Sequence, residues 1–376
     1  MAAYGAAISQ HPDPAAAVGD VVGAVLEQVG HRPDTAVLFV TAEHTDSIHE
    51  IVKSVRDLLN PTVLVGSTAQ AVIGGTLEAE EGPAVSLWAG RLGAVEAVRL
   101  ETISAPEGTA VVGMPDVAAH GPRTLLLLTE PRSFPAGALM HAANRQYPDL
   151  QIVGGVASSS VRNHVILDDL VYDDGAVGVL LPGGLGERVV VSQGCRPVGE
   201  PFIVTAAEAN RIEGLGSRPA TERLSETVDA VNEGERELLS RGLHIGLVVD
   251  EHASEFGRGD FLIRGVLGAD HGSGSIRVGA STPVGSTVQF QVRDAAAADE
   301  DLREMLSLAD ADAALLFTCN GRGSRLFGAP DHDATLVTAA VNNGPVAGMF
   351  CAGEFGPVCG ENHIHGFTAS MLLLYG

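Results

Sequence analysis

Lysine is almost missing from this chain: of 23 basic residues among 376, Lys53 alone is a lysine and the rest are arginines. No G-x-x-x-x-G-K-[ST] run occurs, which excludes P-loop nucleotide hydrolysis. Schiff-base chemistry would fall to Lys53, in a predicted helix with Ile51, Val55, Leu58 and Leu59 on one side, and that spacing leaves its ammonium on the polar face. Cysteine is scarce too. The four, at 195, 319, 351 and 359, are too few for a disulfide scaffold in a chain this long, so reduced thiols are expected. No apolar run approaches the roughly 18 residues of a bilayer span. The start, MAAYGAAISQHPDP, lacks the basic and apolar regions of a secretory signal, so a cytoplasmic location is expected. Positive charge is short overall: 47 acidic residues against 23 basic give a net charge of −24. Such a field repels phosphate backbones and anionic headgroups, so neither nucleic acid nor membrane is expected as a partner.

The remaining composition, 45% apolar and 19% charged, is that of a folded globular chain long enough for one large or two medium domains. Within it one order of elements recurs. TAVLFVT reads as a short buried strand, TDSIHEIVKSVRDLLN as a helix and PTVLVGS as a second strand. TLLLLTE, FPAGALMHAANRQY and LQIVGGVASS follow the same order, as do AALLFTCNGRG, DATLVTAAVNN and PVAGMFCAGEFGP. From the Thr closing each first strand to the Gly closing the second, the spacings are 25 (Thr41 to Gly66), 25 (Thr129 to Gly154) and 30 (Thr318 to Gly348). Duplicated βαβ-like units are inferred. PAVSLWAG with VEAVRLE, and GAVGVLLPG with RVVVSQG, are expected to be hairpins added to two of them. Four further strands fill 244–294, and a helical stretch carries Leu224, Val228, Val231 and Leu238. The expected fold class is α/β, with mixed sheets built from repeated βαβ-like units, added antiparallel strands and helices packed outside. A domain seam is expected near 215–222.

Several stretches, in this order, resemble the FIST proteins (F-box and intracellular signal transduction). They are VGSTAQAVIG at 65–74 with Glu78 and Glu80, GGVAS at 154–158, GCRPVG at 194–199, FLIR at 261–264, FQVRD at 290–294, FTCNGR at 317–322 and GEFGP at 353–357. Two positions depart from the family pattern. Ser67 stands where the family often has cysteine, and His365-Gly366-Phe367-Thr368 where it has a His-Asn pair. The resemblance implies a FIST N-terminal-like domain at 1–218 and a FIST C-terminal-like domain at 219–376. It also implies a sensory or regulatory module that binds a small ligand, such as an amino acid, and signals through another protein. Some bacterial members resemble haem-bound nitric-oxide sensors.

The residues themselves nominate one site. TCNGRGSR at 318–325 runs a buried strand into a glycine-rich turn whose backbone N–H groups can cradle an anion. Arg322 is the first choice for gripping a carboxylate, because a guanidinium binds one bidentately, with Arg325 behind it. Glu354 follows the third unit's second strand, where loops at strand carboxyl ends form a crevice, and would take an ammonium. Asn320, Gly321 and Gly353 belong to the same loops, and Ser67, Thr68 and Ser158 occupy equivalent places in the other units. The bland alternatives are an arginine tying a turn to a neighbouring carboxylate and glycines serving close packing. The leading reading is thus a sensor that buries an amino acid or related carboxylate between its two parts, with no cofactor.

Haem-dependent gas sensing and an amide- or ring-opening hydrolase using Ser67, Thr68 or Ser158 are the alternatives. None of the 13 histidines is nominated as a haem ligand. Cys351, Cys359, His363 and His365 have the wrong spacing for a standard zinc knuckle. Asp168-Asp169, Asp173-Asp174 and Asp331-His332-Asp333 read as solvated turn chemistry.

Overall fold

The computed structural model describes residues 3–105, 108–117, 123–253 and 255–376. It divides into two compact units, the first formed by Met1–Val191, Leu302–Ile364 and Thr368–Gly376, the second by Ser192–Asp301 with His365–Phe367. The chain leaves the first unit after Val191 and returns to it at Leu302.

The first unit holds three modules of one plan. Module one runs through β1 (Tyr4–Ser9), α1 (Pro14–Val29), β2 (Thr35–Thr41), α2 (Ile48–Leu59), β3 (Val63–Ala69), a hairpin of β4 (Val72–Gly74) and β5 (Leu77–Ala79), and β6 (Val85–Gly90). Module two repeats this with β7 (Glu96–Ala105) and β8 (Gly108–Val112), β9 (Arg123–Thr129), α3 (Ala136–Gln146), β10 (Leu150–Val156), the hairpin β11 (Val165–Leu167) and β12 (Leu170–Tyr172), and β13 (Ala176–Leu180). β14 (Glu187–Gln193) opens the third module, which the second unit interrupts.

That second unit contributes β15 (Cys195–Glu208), β16 (Arg211–Leu215), β17 (Arg218–Pro219), α4 (Ala220–Ala230), α5 (Glu233–Arg241), β18 (Leu243–Val248), β19 (Phe261–Asp270), β20 (Ser275–Val278) and β21 (Thr287–Arg293). After α6 (Ala295–Leu306), module three resumes with β22 (Ala313–Cys319), the short α7 (Ser324–Phe327), α8 (His332–Ala340), β23 (Val346–Cys351), the hairpin β24 (Glu354–Val358) and β25 (Glu361–His365), and β26 (Thr368–Leu374).

In each module the first and second strands pair in parallel, and a later strand returns antiparallel on the far side of the first: β3-β2-β6, β10-β9-β13 and β23-β22-β26. The strand that opens each module, β1, β7 or β14, covers the outer edge of that returning strand. This corrects the two expected hairpins. β6 and β7 belong to different sheets, as do β13 and β14, because the edge beside each returning strand is already taken by its own module's opening strand.

The hairpin after each second strand leaves its module and extends another: β4 pairs with β23, β11 with β3 and β24 with β10. The exchange closes a cycle, with module one feeding three, three feeding two and two feeding one.

Strand side chains alternate between two environments. Val37, Phe39, Leu126, Leu128, Leu315 and Phe317 meet in one central core. There Phe39 and Phe317 lie edge to face with centroids 6.0 Å apart. The alternate positions are covered from outside: Leu38 and Leu64 by α1 and α2, Leu125 and Leu127 by α3, and Leu316 by α6 and α8. Burial on both faces is why these strands read as unbroken apolar runs. Helices α1 and α6 lie outside the repeats read from sequence. α1 is started by Asp13, whose side chain accepts from Ala16 N, with Pro14 at its first position.

The second unit is an antiparallel sheet, ordered β15-β21-β18-β19-β20-β16-β17 and closed by pairing of β15 with β16. Val204, Ile212, Ile245, Val278, Val288 and Phe290 form its interior.

The equivalent glycines Gly66, Gly154 and Gly348 sit opposite Leu38, Leu127 and Leu316 in register. A Cβ at these positions would come 2.4, 2.0 and 1.9 Å from the partner's carbonyl oxygen, so the close approach of the parallel backbones requires glycine. Gly348→Ala is expected to lower stability by about 1–3 kcal/mol, the cost of overpacking. Gly19→Ala, on α1 with nothing near its added methyl, is expected to raise stability by roughly 0.5–1 kcal/mol. Urea unfolding of the two variants checks the opposite signs.

Candidate functional site

The nominated residues converge where the second strands of the modules end. The Ser158 hydroxyl donates to Phe350 O at 2.6 Å and accepts from Gln70 N at 3.0 Å, joining the ends of β10, β23 and β3. Its N–H donates to Thr68 O at 3.3 Å. Val156 N donates to Gly353 O at 2.9 Å, Ala352 N to Val156 O at 3.1 Å and Asn320 N to Cys351 O at 3.0 Å. Gly155 is the register partner of Glu354, and a Cβ there would lie 2.4 Å from Cys351 Sγ. The glycine at 155 thus lets this thiol and carboxyl share one wall.

The three hydroxyls proposed as nucleophiles are bonded to backbone. Ser67 donates to Thr68 O at 3.1 Å, while Thr68 donates to Arg162 O at 3.2 Å and accepts from His164 N at 2.8 Å. None of these partners is a base.

Arg322 is buried, and its fork is engaged. Nε donates to Asp333 Oδ2 at 2.6 Å and Nη2 to Oδ1 at 2.9 Å, with both side chains 0% exposed. Thr318 Oγ1 donates to Asp333 Oδ2 at 2.8 Å, and His332 Nδ1 lies 3.0 Å from Oδ1. Burial alone would raise the Asp333 pKa. The Arg322 charge and these hydrogen bonds overcome it and hold the carboxyl well below the usual range.

The expected solvated turn at 331–333 is therefore corrected: α8 begins at His332 and packs on β22, which carries Asp333 into the interior. The other two acidic turns are solvated as expected, with Asp169, Asp173 and Asp174 exposed, and they also make local contacts. Asp168 Oδ1 accepts from Leu64 N at 3.1 Å, and Asp173 lies 2.6 Å from His164 Nδ1. Nothing in the sequence around Asp333 marks it as buried, since its partner is eleven residues away across a turn.

The exchanged hairpin of module one is fastened to this cluster. Glu78 Oε1 accepts from Ala334 N at 2.9 Å, Asp331 Oδ1 accepts from Glu78 N at 2.7 Å, and Glu80 takes the amide and hydroxyl of Ser324 at 2.8 and 2.6 Å. Burial, with the neighbouring Asp333 charge, pushes Glu78 up to about 7.

Glu354 has the opposite environment from Asp333. It is 0% exposed, and its Oε2 accepts from Thr368 N at 3.3 Å and Thr368 Oγ1 at 2.8 Å. Oε1 is buried and has no hydrogen-bond partner among the described residues. Burial pushes the carboxyl up to about 8, against the opposing pull of Thr368 and of Arg322. That shift favours the protonated form near neutral pH. Burial and Glu354 together push the Cys351 thiol up as well.

Among the described residues no group of three or more His, Cys, Asp or Glu is placed to hold a metal. Of the buried imidazoles, His44 bonds His11 O, His164 faces Asp173 and His244 bonds Gly242 O. An apolar cavity of about 320 Å³ lies over α3, walled by Val111, Met114, Leu139 and Tyr147. No described helix is long and apolar enough to cross a membrane.

Arg322→Ala leaves Asp333 buried without its counter-charge, and a loss of about 3–5 kcal/mol is expected in urea unfolding. Glu354 predicts a pH effect. Its folded pKa lies above the unfolded value of 4.5, so the folded state holds a proton that the unfolded chain loses. Stability from this group falls as pH rises from 4.5 to about 8 and is flat above. Glu354→Gln is expected to gain on the wild type steadily over that window, measured as the difference in urea midpoints.

Comparison with known proteins places this architecture. The FIST N domain model matches residues 34–218 and the FIST C domain model residues 220–357. An uncharacterized protein of Mycobacterium tuberculosis (strain ATCC 25618 / H37Rv) is 44% identical over 98% of both chains. An uncharacterized protein of Mycobacterium bovis (strain ATCC BAA-935 / AF2122/97) is 43% identical over the same shares. FIST domains are associated with sensory and signal-transduction roles and small-ligand binding. With both domain models matched across most of its length, this chain belongs to the FIST family.

Proposed function

We propose that this FIST protein is a sensor for an amino acid or a related small carboxylate, taken up where the strand ends converge, and that it passes the signal to another protein. The observation that supports this reading is Glu354: a fully buried carboxyl with one oxygen unsatisfied among the described residues, paired in register with Gly155 and under the charge of Arg322. An unmet buried polar atom costs about 1–3 kcal/mol, a cost that a ligand group would relieve. Arriving ammonium would draw the proton off Glu354 and pair with the carboxylate. Arg322 would favour the ligand's carboxylate through its charge, since Asp333 holds two of its guanidinium nitrogens. Asn320, Gly321, Gly353, Ser67, Thr68 and Ser158 would form the surrounding wall.

Because uptake of the ammonium expels a proton, binding should tighten with pH. The expected gain is up to about tenfold per unit below the Glu354 pKa, levelling off above it. The test is a thermal-shift screen of the full chain against amino acids and dicarboxylates at pH 6, 7, 8 and 9. Amino acids are expected to raise the melting temperature by a few degrees at saturation, more so toward pH 8, and to lose this in Glu354→Gln. A response equal in wild type and Glu354→Gln, or one that weakens as pH rises, contradicts the reading.

A further inference from the structure

The second compact unit contains an arginine unlike its neighbours. Arg264 lies on β19 opposite Ile245 of β18, and Ile245 is in turn opposite Phe290 of β21. Register partners in an antiparallel pair share a face. Ile245 and Phe290 are interior residues of the closed sheet, so Arg264 projects from the interior face. Two positions on, Val266 packs against the same core. Among the described residues the guanidinium makes one hydrogen bond, from Nη1 to the carbonyl of the preceding Ile263 at 2.8 Å. No carboxylate among the described residues pairs with it. Burial, with no opposing charge, pushes its pKa below the ordinary arginine value.

Three other arginines of this unit are matched by carboxylates. Arg196 holds Asp294 and Glu235, Arg211 holds Glu208 and Glu213, and Arg258 holds Glu300. In a chain with about twice as many acidic as basic residues, a partly buried cation left unmatched is a place where an anion is missing. Withdrawing an arginine from water without a counter-ion destabilises the fold, and a bound anion would offset that.

We propose that Arg264 marks a second ligand site, at the interior of the closed antiparallel sheet, for a small monocarboxylate with an apolar body. The guanidinium fork matches a carboxylate bidentately. Ile245, Val266 and Phe290 suit an apolar or aromatic body, in keeping with the apolar lining of most ligand sites and their frequency at barrel mouths. One guanidinium meets the single charge of a carboxylate. A phosphate would need more donors and would be repelled by the net charge of −24. Glu354 belongs to the other unit.

The test titrates the full-length chain with benzoate, and separately with inorganic phosphate at equal ionic strength. Thermal shift is followed for wild type, Arg264→Gln, Arg264→Lys and Glu354→Gln. Benzoate is expected to raise the melting temperature of wild type and of Glu354→Gln saturably. Its affinity should drop at least tenfold in Arg264→Lys, and the response should vanish in Arg264→Gln. Without ligand, Arg264→Gln should melt at or above wild type, because it removes an unmatched charge. The proposal is overturned if benzoate does not act on wild type, acts equally on Arg264→Gln, or is matched by phosphate. A melting point of unliganded Arg264→Gln well below wild type also overturns it, since the side chain would then be serving the fold.

Discussion

Each second parallel strand of the first unit would present an open edge, a row of unpaired amides and carbonyls, if another module did not supply a hairpin to cover it. Val72–Gly74 does this for β23, Val165–Leu167 for β3 and Glu354–Val358 for β10. No module of the three is complete by itself, and the central core around Phe39, Leu128 and Phe317 is shared among them. Polar anchors fix each exchange in place: Glu78 on the Ala334 amide of α8, Asp168 on Leu64, and Asn362, whose Oδ1 accepts from Ile152 N at 2.7 Å. The same exchange brings three sets of strand ends to one place and buries polar groups there.

Two of the carboxyl groups buried there have opposite fates, and the difference is local. Asp333 keeps its charge because a guanidinium fork, a threonine and a histidine surround it. Glu354 receives donors on one oxygen among the described residues and feels Arg322 at a remove, so burial prevails and raises its pKa. Arg322 is thus the strut of the site: it compensates one acid fully and the other partly. That makes it a poor residue on which to test ligand binding, because its removal disturbs the fold first.

Much of the fold is legible in the sequence. TAVLFVT, TLLLLTE and AALLFTC announce strands buried on both faces, and the Thr-to-Gly spacings reflect a shared register in which Gly66, Gly154 and Gly348 oppose Leu38, Leu127 and Leu316. The helix α1 also leaves a signal, Asp13-Pro14 followed by Val18, Val21, Val22, Val25 and Val29 at helical spacing. Where a strand goes next is not legible. VIG at 72–74 pairs with a strand some 275 residues later, and no local preference encodes that choice. The site follows the same division. Its loops are visible as glycine-rich strand ends, whereas the burial of Asp333 and the pairing of Glu354 with Thr368 depend on contacts made only after the modules assemble. Arg264 shows the converse, since alternation places it on a strand face but only closure of the sheet makes that face an interior.

The most direct test of the account is the protonation state of Glu354, followed by carbon-13 NMR of its side-chain carboxyl in the unliganded full chain and assigned by comparison with Glu354→Gln. A titration midpoint near 8 is expected, the sign of a buried acid waiting for a partner. A midpoint in the ordinary carboxylate range would show that solvent or a cation already reaches Oε1, and the account of the site would fail.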